Sequence, residues 1–518
     1  PLNYKKTLNI NHDIYDEDNS PVRIVHHYED GKLVAKCARG NVSSWFGKAS
    51  DWYTSGDSQY MSSGWSSGYG GSGYGKDGTT IVIYEYTTDE DGKATITKYN
   101  GNSTSLVIPS TLDGYTVVAI GKDVFKNNTR LRMVVFPDTV TKIGNYAFYG
   151  CTNLSSITFG DGLVELGTKS FYGCTSLTAI SLPDSVTRIS YGAFDKCTRL
   201  ANVKLSQNLE QLDGRAFSGC DALTSITIPK KVATSYKADI SDYGYTGGRG
   251  AFNGNANLKS VTFEEGSTVI AGNLLANCPG IETIVIPDSV TEIGEYAFYH
   301  CINLKDVKLS SALTTINTRA FNDCIALPEV EIPDSVVKIS YGAFDGCTAL
   351  ADVKLSRNLE QLDGRAFSGC DALTSITIPK KVATSYKADI SDYGYTGGRG
   401  AFNGNANLKS VTFEEGSTVI AGNLLANCPG IETIVIPDSV TEIGEYAFYH
   451  CINLKDVKLS SALTTINTQA FNDCSSLLAI TVPDSVTSMG SAVFANCTSL
   501  ADVTLPNTRQ IIMSRTFE

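Results

Sequence analysis

The sequence predicts a solenoid of stacked coils with a parallel β-sheet along one side, and internal repetition is the main reason. The pattern Ile-Pro-x-x-Val-x-x-Ile-Gly-x-x-Ala-Phe-x-x-Cys-x-x-Leu-x-x-Ile recurs with a 23-residue period from Ile108. Sixteen full units follow one another, and a seventeenth begins at Leu505. Units of this length cannot bury their apolar face alone and are stabilised by stacking on their neighbours. We therefore interpret 108–518 as one repeat array.

Each unit contains one strand and a return path. In Leu200-x-x-Val203-x-Leu205 the apolar residues have the L-x-x-L-x-L spacing of leucine-rich-repeat strands, in which alternate side chains point inward. Pro183 follows the strand of its unit and ends the pairing, because proline has no N–H group. The return path is expected to be irregular or to form short 3-10 or strand segments. At about 4.8 Å per coil, the strands would form one continuous sheet of ~75 to 80 Å.

The interior of the array is predicted to contain a ladder of phenylalanine rings and a column of cysteine thiols. The Ala-Phe dipeptide places one ring per coil at a fixed phase, which indicates packing in the core rather than a cofactor site. Thirteen of the fourteen cysteines share one position of the repeat, where a small thiol suits a tight inward turn. We expect them to be reduced, although the coil spacing would permit disulfides on distance alone. Cys37 lies outside the array, and its role is open.

Residues 79–107 are predicted to form a β-hairpin that caps the first coil. Alternating apolar residues mark two strands, Ile81–Tyr86 and Ala94–Tyr99, and the segment Asp89–Gly92 between them is a turn sequence. A hairpin in this place would cover the open edge of the array.

The residues ahead of the hairpin fall into two segments of different composition. Segment 43–78 is rich in Gly and Ser and carries all three tryptophans, which indicates a flexible linker, with carbohydrate contact through its aromatic residues as the alternative. Segment 1–42 is an uncertain N-terminal segment with an acidic run at 13–19. That run lacks the Gly and the distal Glu of an EF-hand loop, so a solvated loop is favoured over a calcium site.

A second repetition is laid over the first. Residues 208–318, the first copy, are identical to residues 358–468, the second copy, and the offset of 150 residues comprises five 23-residue units and one 35-residue unit. The longer unit has a 12-residue insertion within Lys230–Gly248, and the equivalent insertion lies within Lys380–Gly398. We expect both insertions to project on one face, roughly 30 Å apart.

Tyrosines of these two insertions are the candidate binding residues. They are Tyr236, Tyr243, Tyr245, Tyr386, Tyr393 and Tyr395. Exposed aromatic residues of this kind often anchor a protein or glycan partner. The alternative is that they fold back over the coil as a lid.

The composition argues against several classes of function. The formal net charge is −12 and the basic residues are scattered, so no basic stripe is available for nucleic acid. No apolar run approaches the ~20 residues of a membrane-spanning helix. No Cys-x-x-Cys pair occurs, and His300 and His450 are copies of one repeat position, which argues against a zinc site. Without a grouped nucleophile, base and orienting residue, we expect no catalytic residues, no metal and no cofactor.

Two strings carry a family pattern: Ile286–Phe298 followed by Cys301 and Leu304, and the lead-in Leu106–Tyr115. They resemble the BspA-like leucine-rich-repeat proteins of bacterial and protist surfaces, and the resemblance covers 108–518. It implies a non-enzymatic, extracellular or cell-surface protein that adheres to host or microbial surface proteins or glycans. The insertions and the Trp-rich leader depart from the family pattern. A structural spacer or a self-assembling surface-layer or filament component is the alternative, because the internal duplication is nearly perfect.

Overall fold

The computed structural model describes residues 80–235, 250–385, 400–506 and 516–517, together with four strands before them. These strands are Ile14–Tyr15, Pro21–Glu29, Lys32–Arg39 and Ser72–Tyr74. The first three form an antiparallel sheet within the uncertain segment 1–42, and the fourth pairs antiparallel with Thr80–Val82. The chain divides into two compact units, Pro1–Ser206 and Gln207–Glu518.

The predicted hairpin cap is confirmed in the first unit. Tyr84–Thr88 pairs antiparallel with Lys93–Tyr99, and Gly92 in the turn has a left-handed backbone with φ of 71°. Lys93–Tyr99 also lies parallel to Tyr115–Ile120, the first strand of the return path. Thr111–Leu112 adds a short antiparallel partner to that strand. The hairpin therefore covers the edge of the first coil.

The predicted strand of each coil is present, and we call these the front strands. In the first unit they are Ser105–Val107, Met133–Val135, Ser156–Thr158, Ala179–Ser181 and Asn202–Lys204. In the second unit they are Ser225–Ile228, Ser260–Phe263, Thr283–Val285, Asp306–Lys308, Glu329–Glu331, Asp352–Lys354, Ser375–Ile378, Ser410–Phe413, Thr433–Val435, Asp456–Lys458, Ala479–Thr481 and Asp502–Thr504. Their inward residues are apolar, and their outward residues are mostly polar, as the L-x-x-L-x-L spacing predicted.

Front strands hydrogen-bond in parallel groups of two or three rather than as one continuous ladder. Asp306–Lys308 and Glu329–Glu331, for example, are neighbours in different groups. Pro328 contributes to this interruption, because it has no N–H group at the position where Lys305 donates to the carbonyl oxygen of Glu282.

The return path carries a second set of parallel strands, which we call the back strands. In the first unit they are Tyr115–Ile120, Lys142–Ile143, Glu165–Leu166 and Arg188–Ile189. In the second unit they are Gln211–Leu212, Val269–Ile270, Glu292–Ile293, Thr315–Ile316, Lys338–Ile339, Gln361–Leu362, Val419–Ile420, Glu442–Ile443, Thr465–Ile466 and Ser488–Met489. Successive back strands pair over four or five coils without a break, so these coils have parallel β-structure on two sides.

A glycine follows six of the back strands, at Gly121, Gly144, Gly167, Gly294, Gly444 and Gly490, and allows those coils to approach closely. A Cβ atom at Gly144 would lie 2.7 Å from the carbonyl oxygen of Ile120, and one at Gly294 would lie 2.8 Å from that of Ile270. The N–H groups of both glycines donate to the same carbonyl oxygens at 2.8 Å. Ser190 and Asn317 hold this position in other coils and donate the same hydrogen bond at 2.9 and 3.0 Å, so the close contact favours glycine without requiring it in every coil.

The predicted phenylalanine ladder fills the interior. In the second unit, Phe298, Phe321, Phe344 and Phe367 are fully buried and stack with centroids 5.0 to 5.2 Å apart. Such ring pairs add packing energy to the burial of apolar area. The ladder is therefore a structural element of the core.

The cysteine column lies beside the ladder, and its thirteen cysteines are buried and free of disulfides. The thiol of Cys324 donates a hydrogen bond to the carbonyl oxygen of Phe298, 3.3 Å away in the preceding coil. Asn255 holds the cysteine position in a longer unit, where its amide donates to the carbonyl oxygen of Phe217 and accepts from the N–H of Cys220. The column thus links successive coils by hydrogen bonds. The side chain of Cys37 lies outside the described residues.

Both insertions interrupt the back ladder of the second unit. The helix Lys230–Ser235 lies between the back strands Gln211–Leu212 and Val269–Ile270, where other coils have a back strand of their own. The helix Lys380–Ser385 occupies the equivalent place in the second copy. Each insertion therefore leaves its coil on the back side.

Candidate binding surfaces

The six candidate tyrosines of the insertions lie outside the described residues. The two helices end at Ser235 and Ser385, and the described chain resumes at Gly250 and Gly400. The structure accordingly describes the two ends of each insertion, and the roles of the six tyrosines stay a prediction.

Each insertion is held in place at both ends. At the first end, the N–H group of Lys230 donates to a carboxylate oxygen of Glu264 at 3.0 Å. At the second end, the carbonyl oxygen of Gly250 accepts from the N–H of Arg215 at 2.9 Å, and a Cβ atom on this glycine would lie 2.6 Å from the carbonyl oxygen of Ala276. The same contacts recur in the second copy. Two identical segments thus start and end at equivalent, well-fixed points of one unit.

A third surface, which we call the turn side, lies between each back strand and the following cysteine position, as in residues 144–150. Here the coils are joined by further hydrogen bonds. The N–H of Tyr146 donates to the carbonyl oxygen of Thr168 at 2.9 Å, and that of Phe148 donates to Ser170 at 2.7 Å. The turn side is therefore a rigid part of the solenoid rather than a loose loop.

Three turn-side tyrosines have a left-handed backbone: Tyr146, Tyr296 and Tyr446, with φ of 59°, 56° and 57°. Gly192 and Gly342 hold the same position of the coil elsewhere, and glycine adopts this conformation without strain. Lys169, Arg215 and Arg319 have the same conformation at this position, so the left-handed backbone belongs to the coil and costs about 1 to 3 kcal/mol wherever a bulky side chain occupies it. We treat the turn-side tyrosines as candidate binding residues because they place partly exposed aromatic rings on a rigid surface.

In the first unit these side chains form what we call the Lys–Tyr cluster. Its members are Lys126, Tyr146, Tyr149, Lys169, Tyr172, Tyr191 and Lys196. The rings of Tyr149 and Tyr172 stack at 4.7 Å with planes 4° apart. The ammonium group of Lys126 lies 5.7 Å from the first ring, and those of Lys169 and Lys196 lie 5.6 Å from the second. Cation–π attraction holds the lysines against the rings without neutralising their charge.

The turn side of the second unit has a different set of partners. Arg319 is the first residue after the first copy. Its guanidinium lies 6.0 Å from the ring of Tyr296 and 5.7 Å from that of Tyr341. Gln469 takes the place of this arginine after the second copy. The otherwise identical copies thus differ at one aromatic–cation contact.

A histidine and an aspartate are paired on the turn side of the second unit, once near Tyr296 and once near Tyr446. The Nδ1 atom of His300 lies 3.8 Å from a carboxylate oxygen of Asp323, and His450 is hydrogen-bonded to Asp473. Partial burial raises the pKa of Asp323, and His300 partly opposes that shift. These carboxylates give the second unit's turn side a mixed charge.

The front side of the second unit contains a shallow groove. Hydroxyl groups line its floor, from Ser375, Thr377, Ser410 and Thr412. Lys354, Arg357 and Glu414 add charged groups to the lining. Lys354 is paired with Glu331 and Arg357 with Asp334, so this groove has little unbalanced charge.

The buried thiols are unsuited to nucleophilic chemistry. Burial raises the pKa of Cys151 and of Cys301 to about 12, so neither is a thiolate near neutral pH. Among the residues that the structure describes, no group of three or more His, Cys, Asp or Glu side chains is placed to hold a metal ion. No described helix is both long enough and apolar enough to cross a membrane.

Comparison with known families decides the assignment of the repeats. The model of the BspA type leucine rich repeat region (6 copies) matches residues 118–241, 236–349, 268–391 and 396–518. The chain belongs to this family. Each 23-residue BspA-type repeat of this chain thus contributes to the front strands, the back strands and the turn side. A search of curated proteins found no match.

Solved structures of other leucine-rich-repeat proteins are similar to the chain. One from Bacteroides ovatus is 24% identical, with 82% of this chain and 88% of that chain covered and a TM-score of 0.42. A leucine rich cell surface protein from Faecalibacterium prausnitzii is 29% identical, with 73% and 94% covered and a TM-score of 0.37. The pneumococcal vaccine antigen PcpA is 16% identical, with 84% and 99% covered and a TM-score of 0.39.

Sequence reasoning missed the turn-side tyrosines of this BspA-type array, although a signal for them was available. The string Gly-x-Tyr-Ala-Phe-Tyr occurs at 144–149, 294–299 and 444–449. In each string the two tyrosines flank the buried Ala-Phe pair. Their recurrence at one phase would have indicated a shared, outward surface.

Proposed function

We propose that the chain is a non-enzymatic binding scaffold of the cell surface or the extracellular space, which recognises a surface protein or glycan. The main support for this proposal is that two insertions are anchored in the same way within one compact unit. The helices Lys230–Ser235 and Lys380–Ser385 leave their coils at identical points, and equivalent contacts hold both ends of each insertion. The unit would thus present the same binding segment twice.

Presentation in duplicate favours partners that are repetitive or displayed on a surface. Six coils separate the insertions, which corresponds to roughly 30 Å at one strand spacing per coil. After the first contact forms, the second forms at high effective concentration, so avidity can exceed the affinity of one site by 10²-fold or more. The tyrosines of the insertions would supply the aromatic anchors that dominate binding energy.

Three features support a scaffold rather than an enzyme. The chain belongs to a repeat family, its array is built from near-identical coils, and burial raises the pKa of its thiols. Family membership also supports an extracellular or cell-surface location.

Self-association is the second candidate function, and one observation favours it. Val285 and Val435 lie at equivalent places on two front strands, and each exposes 60% of its surface. Exposed valines on front strands could join copies of the chain into a layer or filament. Light scattering over a concentration series would show a rising mass for the parent and a constant mass for a Val285→Lys, Val435→Lys double variant.

The scaffold proposal can be tested by exchanging the insertions for ordinary repeat sequence. Residues 230–249 would be replaced by the sequence of 288–295, and residues 380–399 by that of 438–445, which restores the 23-residue period. Parent and variant are then applied to immobilised matrix proteins and glycans. We expect the parent to bind at least one of them and the variant to lose that binding while keeping its circular dichroism. Equal binding by the two proteins would remove the insertions from the proposal.

A further inference from the structure

We propose that the Lys–Tyr cluster of the first unit is a separate binding site for an acidic polysaccharide, a sugar chain that carries carboxylate or sulfate groups. This site goes beyond the proposed function of the insertions, because it lies in the other unit and uses other residues. Three features of the cluster support such a site: its charge, the fixed geometry of its lysines and the kind of surface around them.

The charge of the array changes sign at these coils. Residues 108–206 contain ten Lys and Arg residues against seven Asp and Glu residues. Residues 207–518 contain 22 Lys and Arg residues against 34 Asp and Glu residues. A surface of positive charge on an otherwise acidic chain attracts an anionic partner and directs it to one place.

The cluster holds three ammonium groups within four successive coils, those of Phe125, Phe148, Phe171 and Phe194. Lys126 and Lys196 are exposed, and Lys169 between them is half-buried. Lys126 shares its charge with Asp123 at 3.0 Å, whereas Lys169 has no carboxylate within ion-pair distance in the described chain. Contacts with Tyr149 and Tyr172 fix the positions of the amines, which lowers the entropy that a ligand must remove on binding.

The surface fits a sugar chain better than an acidic peptide. Peptides are usually bound along a strand edge or in an apolar groove. Here the backbone N–H groups of Tyr146, Phe148 and Gly150 already donate to the next coil, so they are not available to pair with a peptide strand. The ring faces of Tyr149 and Tyr172 cover one another. The ammonium groups of Lys126 and Lys196 are exposed and the tyrosines are partly exposed, and ammonium and phenol groups donate hydrogen bonds to carboxylate, sulfate and hydroxyl oxygens.

The second unit provides an internal contrast. Its turn-side groups contain Tyr296 and Tyr446 at the same phase, yet each group also holds an aspartate beside a histidine, Asp323 or Asp473. A carboxylate in that place repels an anionic sugar. The first unit has a turn-side carboxylate too, Asp123, but it is paired with a lysine of the cluster, Lys126, at 3.0 Å, so we place the acidic polysaccharide site in the first unit.

The test compares binding of the whole chain to four immobilised polymers: heparin, polygalacturonate, polyglutamate and neutral dextran. The cluster variant carries Lys126→Gln, Lys169→Gln and Lys196→Gln. The matched control carries Lys305→Gln, Lys354→Gln and Lys455→Gln, which removes the same charge from lysines that pair with glutamates on the front side. Thermal melting establishes that both variants fold.

We expect the parent to bind heparin or polygalacturonate in a salt-sensitive manner and dextran not at all. The cluster variant should bind at least tenfold more weakly, and the control within about twofold of the parent. A variant that lacks both insertions should bind like the parent, which separates this site from the insertions. Any one of three results would overturn the proposal. The control variant could lose as much binding as the cluster variant, the parent could bind polyglutamate more strongly than either acidic sugar, or the parent could bind neither acidic sugar.

Discussion

The thiol of Cys301 donates a hydrogen bond to the carbonyl oxygen of Leu275, 3.3 Å away in the preceding coil. The identical bond joins Cys451 to Leu425 in the second copy. A thiol that is buried and already hydrogen-bonded is shielded from oxidants and alkylating reagents. The cysteine column is therefore a structural element that depends on protonated, reduced sulfur.

This arrangement predicts the outcome of thiol titration. Denatured, unreduced protein should react with close to fourteen equivalents of a thiol reagent, the number of cysteines in the sequence. Native protein should react with few, because the thirteen cysteines of the column are buried. A markedly lower value for the denatured chain would mean that thiols of the column are oxidised in pairs.

Stability should decline at alkaline pH. Burial raises the pKa of Cys497 to about 11 and that of Cys451 to about 12. A cysteine in the unfolded chain has a pKa of about 8.5. The folded chain keeps protons that the unfolded chain releases, so this stabilisation is complete below about pH 8.5 and is lost as pH rises through about 11 to 12. The midpoint of urea unfolding should fall steadily across that range.

A double variant, Cys301→Ala with Cys451→Ala, is the control for that measurement. Because it removes two groups with a raised pKa, its midpoint should depend less steeply on pH than that of the parent. Parallel curves would assign the alkaline loss to tyrosine and lysine titration instead.

Backbone strain at the turn side predicts unequal effects of two neighbouring substitutions. Tyr146 has a φ of 59° and Tyr149 does not have a left-handed backbone. Glycine removes the strain at the first position only, so Tyr149→Gly should lower the free energy of unfolding by about 1 to 2 kcal/mol more than Tyr146→Gly. Urea unfolding of the two variants measures the difference. The pair Tyr446→Gly and Tyr449→Gly repeats the comparison in the other unit, and equal losses in both pairs would show that the strain is negligible.

The front strands, the ring ladder and the hairpin cap could be predicted because each is encoded by local sequence. Alternating apolar residues mark the front strand, and the Ala-Phe dipeptide recurs at one phase. The back ladder could not be predicted as sheet, because strands of two residues such as Glu292–Ile293 are too short to show a periodic pattern. Only the stacking of coils, and the close approach at Gly294, gives them hydrogen-bonding partners.

The candidate sites were predicted in part. The duplicated insertions are visible in the sequence, but the place where they leave the coil follows from the helix Lys230–Ser235, which replaces a back strand. The Lys–Tyr cluster depends on contacts between neighbouring coils, such as that of Tyr149 with Tyr172. The left-handed backbone at Tyr146 is maintained by hydrogen bonds to the next coil, which a single repeat does not reveal.

The most direct measurement for the scaffold account is adhesion to a surface-displayed partner after loss of the insertion tyrosines. The first variant replaces Tyr236, Tyr243 and Tyr245 by Ala, and the second also replaces Tyr386, Tyr393 and Tyr395. Because the chain would bind through two equal sites, removal of one should weaken adhesion strongly, and removal of both should abolish it while thermal melting is unchanged. If the variant with all six substitutions still adheres like the parent, the tyrosines are not the anchors and the account of the insertions is wrong.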